Sequence, residues 1–276
     1  MAMAVTDPHV YIGLTTIDAR IGSVDRTLES LIAQDYRNFT IVLFISREPY
    51  LLDGGVKAVP VSVERIVQRD PRITIRWTPN IGPYRKLLPL LASLGERRAL
   101  VATVDDDTIY PPGWLSKLVD LHAHYRCVIA YRAHQMVVDR GVIGPYLSWM
   151  RASINENPSL FLLPTGKDGV LYETSYFPPS VLNYVNARRL APTADDIWFK
   201  WHTAMANVPV YCVSTNYKCD TFESTDDRPV SLFSKFNRDG GNDIIIKKIS
   251  NWAKHEFNFD FVFSSTDGGH YRVGLY

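Results

Sequence analysis

The stretch Ala99-Leu100-Val101-Ala102-Thr103-Val104-Asp105-Asp106-Asp107 decides the fold class of this chain. Nothing charged lies between Arg98 and Asp105, and Val101, Thr103 and Val104 are β-branched, so the run reads as a buried parallel strand. Carboxylates appear at its carboxyl end, which is where open α/β sheets bind their ligands. Asp105 and Asp107, two apart, share a face in extended chain, and Asp106 turns away. The pair suits Mg²⁺ or Mn²⁺ carrying a diphosphate, because such ions take oxygen ligands and usually accept only one or two protein carboxylates. A solvated turn competes with this, since Asp107-Thr-Ile-Tyr-Pro111-Pro112 leads into a helical pattern at Trp114, Leu115, Leu118, Val119 and His122. The position directly after a buried strand favours the metal.

Outward from this strand, residues 7–131 carry a βα rhythm. Val10 to Thr16 is an apolar strand, Ser23 is placed to cap a helix with inner face Val24, Leu28, Leu31 and Ile32, and Phe39 to Ile45 is the next strand. Val61 to Arg69 reads as a helix, Ile73 to Trp77 as a strand, and Pro83 to Leu94 as a helix bent or broken near Pro89. A strand over Cys127 to Tyr131 completes the set. Such alternation implies an α/β, Rossmann-like, mostly parallel sheet flanked by helices. After Arg132 the rhythm stops. Residues 132–192 are rich in Tyr, Pro, Gly and Asn, with apolar pieces at Leu160 to Leu163 and Gly169 to Tyr172, and are expected to form loops and short strands over the site. Thr193 is then a fair N-cap for a helix with apolar positions Ala194, Ile197, Trp198, Trp201, Ala204 and Met205, and Pro209 to Val213 reads as a strand. The two parts, 7–131 for nucleotide and 132–276 for acceptor and base, are read as halves of one domain.

Composition narrows the function. A hydrophobic content of 46% over 276 residues is ample for a core. Thirty basic against 29 acidic side chains leave a formal charge of +1, so nothing pulls the whole chain toward nucleic acid. Cys127, Cys212 and Cys219 have neither metal-ligand spacing nor an even count, which fits a reducing, cytosolic setting. No apolar run reaches the roughly 18 residues of a membrane span, and no signal-peptide pattern opens the sequence. The domain is read from residue 7 onward.

Other polar groups stand where a nucleotide would lie. Thr15-Thr16-Ile-Asp18-Ala-Arg20 ends the first strand, with Asp18 suited to hydroxyl or imino hydrogens and Arg20 to phosphate. Gly82-Pro83-Tyr84-Arg85-Lys86 opens an apolar helix, where backbone N–H groups and two cations attract a diphosphate. Asp195-Asp196 begins the late helix. Thr193 and Asp196 match a capping box, but a carboxylate in a sugar site is also a general base. Thr165-Gly166-Lys167-Asp168-Gly169 allows backbone close to a sugar, and Tyr84, Trp114, Tyr172 and Trp198 read as core positions or as stacking faces for a base or sugar ring. His202, His255 and His270 are candidate third metal ligands, with no spacing to choose among them.

Taken in order, these features resemble the GT-A type of glycosyltransferase, and within it the family 2 group of bacterial sugar transferases, over about residues 10–206. The Asp-x-Asp element is similar to Asp105 and Asp107, and the later acidic pair to Asp195 and Asp196. The resemblance implies catalysis by Asp196 and Asp195, Mn²⁺ or Mg²⁺ on Asp105 and Asp107, and a donor lying against Gly82 to Lys86; the residues themselves add donor binding by Thr15, Thr16, Asp18, Arg20, Lys86, Asp105 and Asp106, and acceptor or sugar binding by Gly166, Gly169 and Trp198. It further implies a uridine diphosphate sugar donor, inversion at the anomeric carbon, and a saccharide or lipid-linked saccharide acceptor met on the cytoplasmic side of a membrane. Phe233, Lys235, Phe236, Lys247, Lys248 and Trp252 read as a solvated helix face or as a peripheral membrane contact. The acidic pair is Asp-Asp where Glu-Asp is usual, and no Gln-x-x-Arg-Trp follows it, which favours adding one sugar at a time. A sugar-nucleotide nucleotidyltransferase would carry a Gly-rich loop after the first strand, and Thr15 to Gly22 is not Gly-rich; a silent sugar-binding protein would not need the Asp-rich element. Arg238-Asp-Gly-Gly-Asn242-Asp243 matches no assignable motif.

Overall fold

A computed structural model describes residues 7–139, 142–216, 221–225, 231–261 and 274–275. The strands are β1 (Val10–Thr15), β2 (Phe39–Ile45), β3 (Ile73–Trp77), β4 (Leu100–Val104), β5 (Val128–Ala130), β6 (Ala133–Gln135), β7 (Val138–Asp139), β8 (Val142–Ile143), β9 (Leu162–Pro164), β10 (Val170–Glu173), β11 (Val210–Cys212), β12 (Phe259–Asp260) and β13 (Gly274–Leu275). The α-helices are α1 (Val24–Ile32), α2 (Val61–Arg69), α3 (Leu88–Leu94), α4 (Trp114–Tyr125), α5 (Tyr146–Trp149), α6 (Tyr184–Leu190), α7 (Asp195–Met205) and α8 (Gly241–Phe257).

A seven-stranded sheet in the order β11-β5-β10-β4-β1-β2-β3 organises the molecule. The pairs β1·β2, β1·β4, β2·β3 and β5·β11 are parallel, whereas β10 runs antiparallel to both β4 and β5. Side-chain alternation splits the core in two. Ile41, Leu43 and Ile45 of β2 point to one face with α1, α2 and α4, while Val42 and Phe44 point to the other with α3, α7 and α8. Both faces are buried, as the continuous apolar strands require.

Two local expectations, both of helix caps, are corrected. Ser23 stands at the start of α1 but its hydroxyl bonds back to the Arg20 carbonyl at 3.1 Å instead of capping. The segment expected to be bent or broken near Pro89 is broken there, into a 3-10 turn over Gly82–Lys86 followed by α3, because Pro89 cannot continue a helix running through Leu87. Thr193 is not a cap: Ala194 is the residue before α7, and the Thr193 hydroxyl donates to Asn237 Oδ1 at 2.5 Å. Of the strands in the second half, β10 and β11 belong to the central sheet.

Candidate active site

The carboxyl ends of β1 and β4 open into a cavity of about 500 Å³, closed on its far side by the turn before β10 and the first turn of α7. Thr15, Arg20, Arg85, Lys86, Asp105, Asp106, Asp107, Gly166, Asp195 and Asp196 all line it.

Asp106 is the anchor of the acidic turn. Its carboxylate accepts from Thr16 Oγ1 at 2.5 Å and from Arg20 Nε at 3.0 Å, and its carbonyl accepts from Thr27 Oγ1 at 3.0 Å. With Asp106 so occupied, Asp105 and Asp107 are left facing the cavity. Asp105 Oδ1 accepts from Lys86 Nζ at 2.9 Å, and the same ammonium lies 3.3 Å from Asp195 Oδ2. Burial alone would raise the Asp105 carboxyl and lower the Lys86 ammonium; their mutual attraction wins, holding Asp105 below its ordinary value and Lys86 well above. Asp107 meets a more distant cation, Arg20 Nη1 at 3.8 Å. Burial and repulsion from Asp105 and Asp106 push it up to about 6.

Asp196 Oδ2 accepts the backbone N–H of Gly166 at 3.0 Å. Burial, then the charge of Asp195, raises Asp196 to about 7, against the opposing pull of Lys86. A carboxyl poised there has the basicity a general base needs near neutral pH. The capping-box alternative fails on geometry, because Thr193 is bonded elsewhere and Asp196 is held by the turn of another element.

Several expected residues stand apart. Asp18 is exposed and outside the cavity wall, its N–H donating to Asp53 Oδ1 at 3.0 Å. Trp198 is fully buried, stacked on Trp252 with its Nε1 donating to the Val181 carbonyl, so it cannot meet a sugar. Tyr84, Trp114 and Tyr172 are equally buried. Gly169 faces the Trp114 indole rather than the cavity. His202 is enclosed beside Trp198, and His255 is exposed on α8 away from the cavity, so neither is a third ligand; His270 lies outside the described residues, as does Cys219. Trp252 is buried and leaves the proposed membrane face, whereas Phe236 is exposed.

Sequence inspection missed Asp53. Its buried carboxylate accepts from the N–H groups of Asp18 and Gly55, from Asn80 Nδ2 at 3.0 Å and from Arg85 Nη2 at 2.8 Å. It thereby fixes the loop carrying Tyr50 and Leu51 against the cavity. Also missed were His134, Tyr146, Met150, Asn237 and Asn242, which complete the wall on the side of the second half. Burial lowers the His134 imidazole to about 3, so that side chain is neutral.

Among the described residues no cluster of three or more His, Cys, Asp or Glu is arranged to hold a metal. Asp105 and Asp107 nevertheless fit the demands of Mg²⁺ or Mn²⁺, two cavity-facing carboxylates leaving room for phosphate and water oxygens. The raised Asp107 shows surplus negative charge that a cation would relieve.

A mostly parallel sheet with an acidic turn at the end of its inner strand and an opposed acidic helix start defines a GT-A type domain. The chain belongs to glycosyl transferase family 2, whose model matches residues 20–165, just over half of it. The match stops short of Gly166, Asp195 and Asp196. Among solved structures, residues 1–349 of S. aureus TarS share 15% identity at a TM-score of 0.48, over 75% of this chain and 59% of that one. The chain therefore spans less than two thirds of that structure. The same protein in complex with UDP-GlcNAc aligns over 89% of this chain and 73% of that one, at 13% identity and a TM-score of 0.48. The 4-diphosphocytidyl-2C-methyl-D-erythritol synthase from Anaerococcus prevotii DSM 20548 aligns over 90% and 98%, at 12% identity and a TM-score of 0.50, a likeness of fold alone. No curated protein matches the sequence. Among the described residues no helix is long and apolar enough to cross a membrane.

Proposed function

We propose that this protein transfers one sugar from a uridine diphosphate sugar to a hydroxyl of a saccharide or lipid-linked saccharide, inverting the anomeric carbon. One observation carries the reading: Lys86 joins Asp105 to Asp195 across a single cavity, so the acidic turn and the base-bearing helix face one space.

In this reading Arg20 and Lys86 meet the diphosphate, and Thr15 lies beside the nucleoside. Asp105 and Asp107 would hold Mn²⁺ or Mg²⁺, which when bound offsets charge developing on the departing diphosphate. Lys86 aids that departure from the protein side, its charge secured by Asp105 and Asp195. Asp196 takes the proton from the attacking hydroxyl, and the Gly166 N–H fixes the carboxylate through one oxygen while the other is left for the acceptor. The uridine base, inversion and the acceptor class follow the habits of the family; a surface polysaccharide or glycoconjugate pathway, with action at the cytoplasmic face of a membrane, is their natural setting.

Thermal shift with nucleoside diphosphates, with and without MnCl₂, tests this proposal. UDP and Mn²⁺ together should raise Tm by several degrees more than either alone, and Asp107→Asn should remove the joint effect. A folded protein indifferent to every nucleoside diphosphate with either cation would sink it.

A further inference from the structure

Resting on the transfer reaction just proposed, we infer that residues 231–243 build the subsite for the acceptor sugar and that Asn242 accepts a hydrogen bond from one of its hydroxyls. This segment lies beyond the residues matched by the family model, and it contains the run Arg238-Asp-Gly-Gly-Asn242-Asp243 that no motif assigns.

Gly241 has no room for a side chain, as a Cβ there would stand 1.8 Å from the Phe236 carbonyl oxygen. The first turn of α8 is therefore pressed onto the π-helical turn Phe233–Asn237. Two clamps fix this assembly to the active site. Asn237 exchanges hydrogen bonds with Thr193, at 2.5 and 2.9 Å, two residues before Asp195. Asp243 Oδ1 accepts the Tyr146 N–H at 2.7 Å, which fastens α5 and with it the cavity-lining Tyr146 and Met150.

Between the clamps stands Asn242. It lines the cavity, is only 4% exposed, and its Oδ1 has no hydrogen-bond partner among the described residues. A buried carboxamide oxygen left unpaired is costly, and a hydroxyl is the donor that satisfies it. The neighbouring wall of Tyr146, Met150, Leu163 and Phe233 offers apolar faces suited to the C–H face of a pyranose. Arg20 and Lys86, which would attract an anion, sit instead with the acidic turn. An unpaired amide oxygen among apolar faces suits a sugar hydroxyl at this end of the cavity.

Calorimetry on protein saturated with UDP and MnCl₂, titrated with octyl β-glucoside, β-galactoside and β-N-acetylglucosaminide, decides the matter. The wild type should bind at least one glycoside. Asn242→Ala and the volume-conserving Asn242→Leu should each weaken it tenfold or more while changing UDP affinity less than twofold. One mono-deoxy analogue should bind the wild type as weakly as it binds the variants. Unchanged glycoside binding in the variants overturns the inference, as does a wild type that binds UDP but no glycoside. Loss of UDP affinity in both variants also overturns it, since Asn242 would then serve the fold. A wild type that binds neither UDP nor glycoside fails at the donor reading itself.

Discussion

The backbone N–H of Gly166 points at Asp196 Oδ2 from 3.0 Å, tying the turn before β10 to the first turn of α7. A Cβ on Gly166 would stand 2.8 Å from Lys86 Nζ, 3.3 Å from Asp196 Oδ1 and 3.4 Å from Asp105 Oδ1. The closest of these is the free end of a flexible chain, so Gly166→Ala should fold normally yet push the ammonium off its carboxylates. We expect Tm within about 2 °C of wild type and kcat lower by roughly tenfold to a hundredfold. Wild-type turnover would show that Lys86 need not hold this position.

Gly169, three residues on, should behave in the opposite way. Its φ is +91°, and an added Cβ would lie 2.4 Å from Trp114 Cζ2. That ring cannot yield, being fully buried and held by its Nε1 hydrogen bond to the Asp168 carbonyl at 2.9 Å. Gly169→Ala should cost about 2 kcal/mol or more of unfolding free energy through overpacking and left-handed strain. Urea melts that coincide with wild type would contradict this packing.

The two glycines show what was legible in the sequence. Both looked alike as turn residues, and only the three-dimensional neighbours separate one beside the acids from one under an indole. Strands β1 to β4 and helices α1, α2 and α4 were readable because their apolar periodicity is a local property. The direction of β10 was not, since four residues among loops carry no record of which strands they will join. Asp195 and Asp196 were recognisable from their place at a helix start, but Thr193 was misassigned because its partner, Asn237, lies 44 residues away. Asp53 was hidden for the same reason, its ion pair with Arg85 linking segments 32 residues apart. Trp198 fell on an apolar stripe, and the stripe, not the site, decided its fate.

Asp196 makes a pH prediction. It is faced by Asp195, Asp105, Lys86 and the Gly166 N–H, and burial with the Asp195 charge places it at about 7. A base must be deprotonated to act, so kcat should rise with pH and level off above about 7, falling tenfold per unit on the acid side. Asp196→Asn should abolish that limb and lower kcat by roughly 10² to 10⁴, with UDP affinity preserved. A rate independent of pH from about 5 to 8 would take the base role from Asp196.

Lys200 lies on the same helix and is unrelated to the chemistry. It is fully buried, its Nζ has no hydrogen-bond partner among the described residues, and burial lowers its ammonium to about 7. The unfolded chain keeps the ordinary value near 10.5, so between those limits the unfolded state binds more protons than the folded one. The burden on stability is therefore full below about pH 7 and fades as pH rises toward 10.5. Lys200→Met, similar in length and uncharged, should stabilise the protein at neutral pH by on the order of a few kcal/mol. The gain should shrink steadily on titration to about pH 10, with both proteins melted in the same buffers. A gain that is constant with pH would mean that Lys200 keeps its proton in the folded state, and a loss would mean that its ammonium is paired.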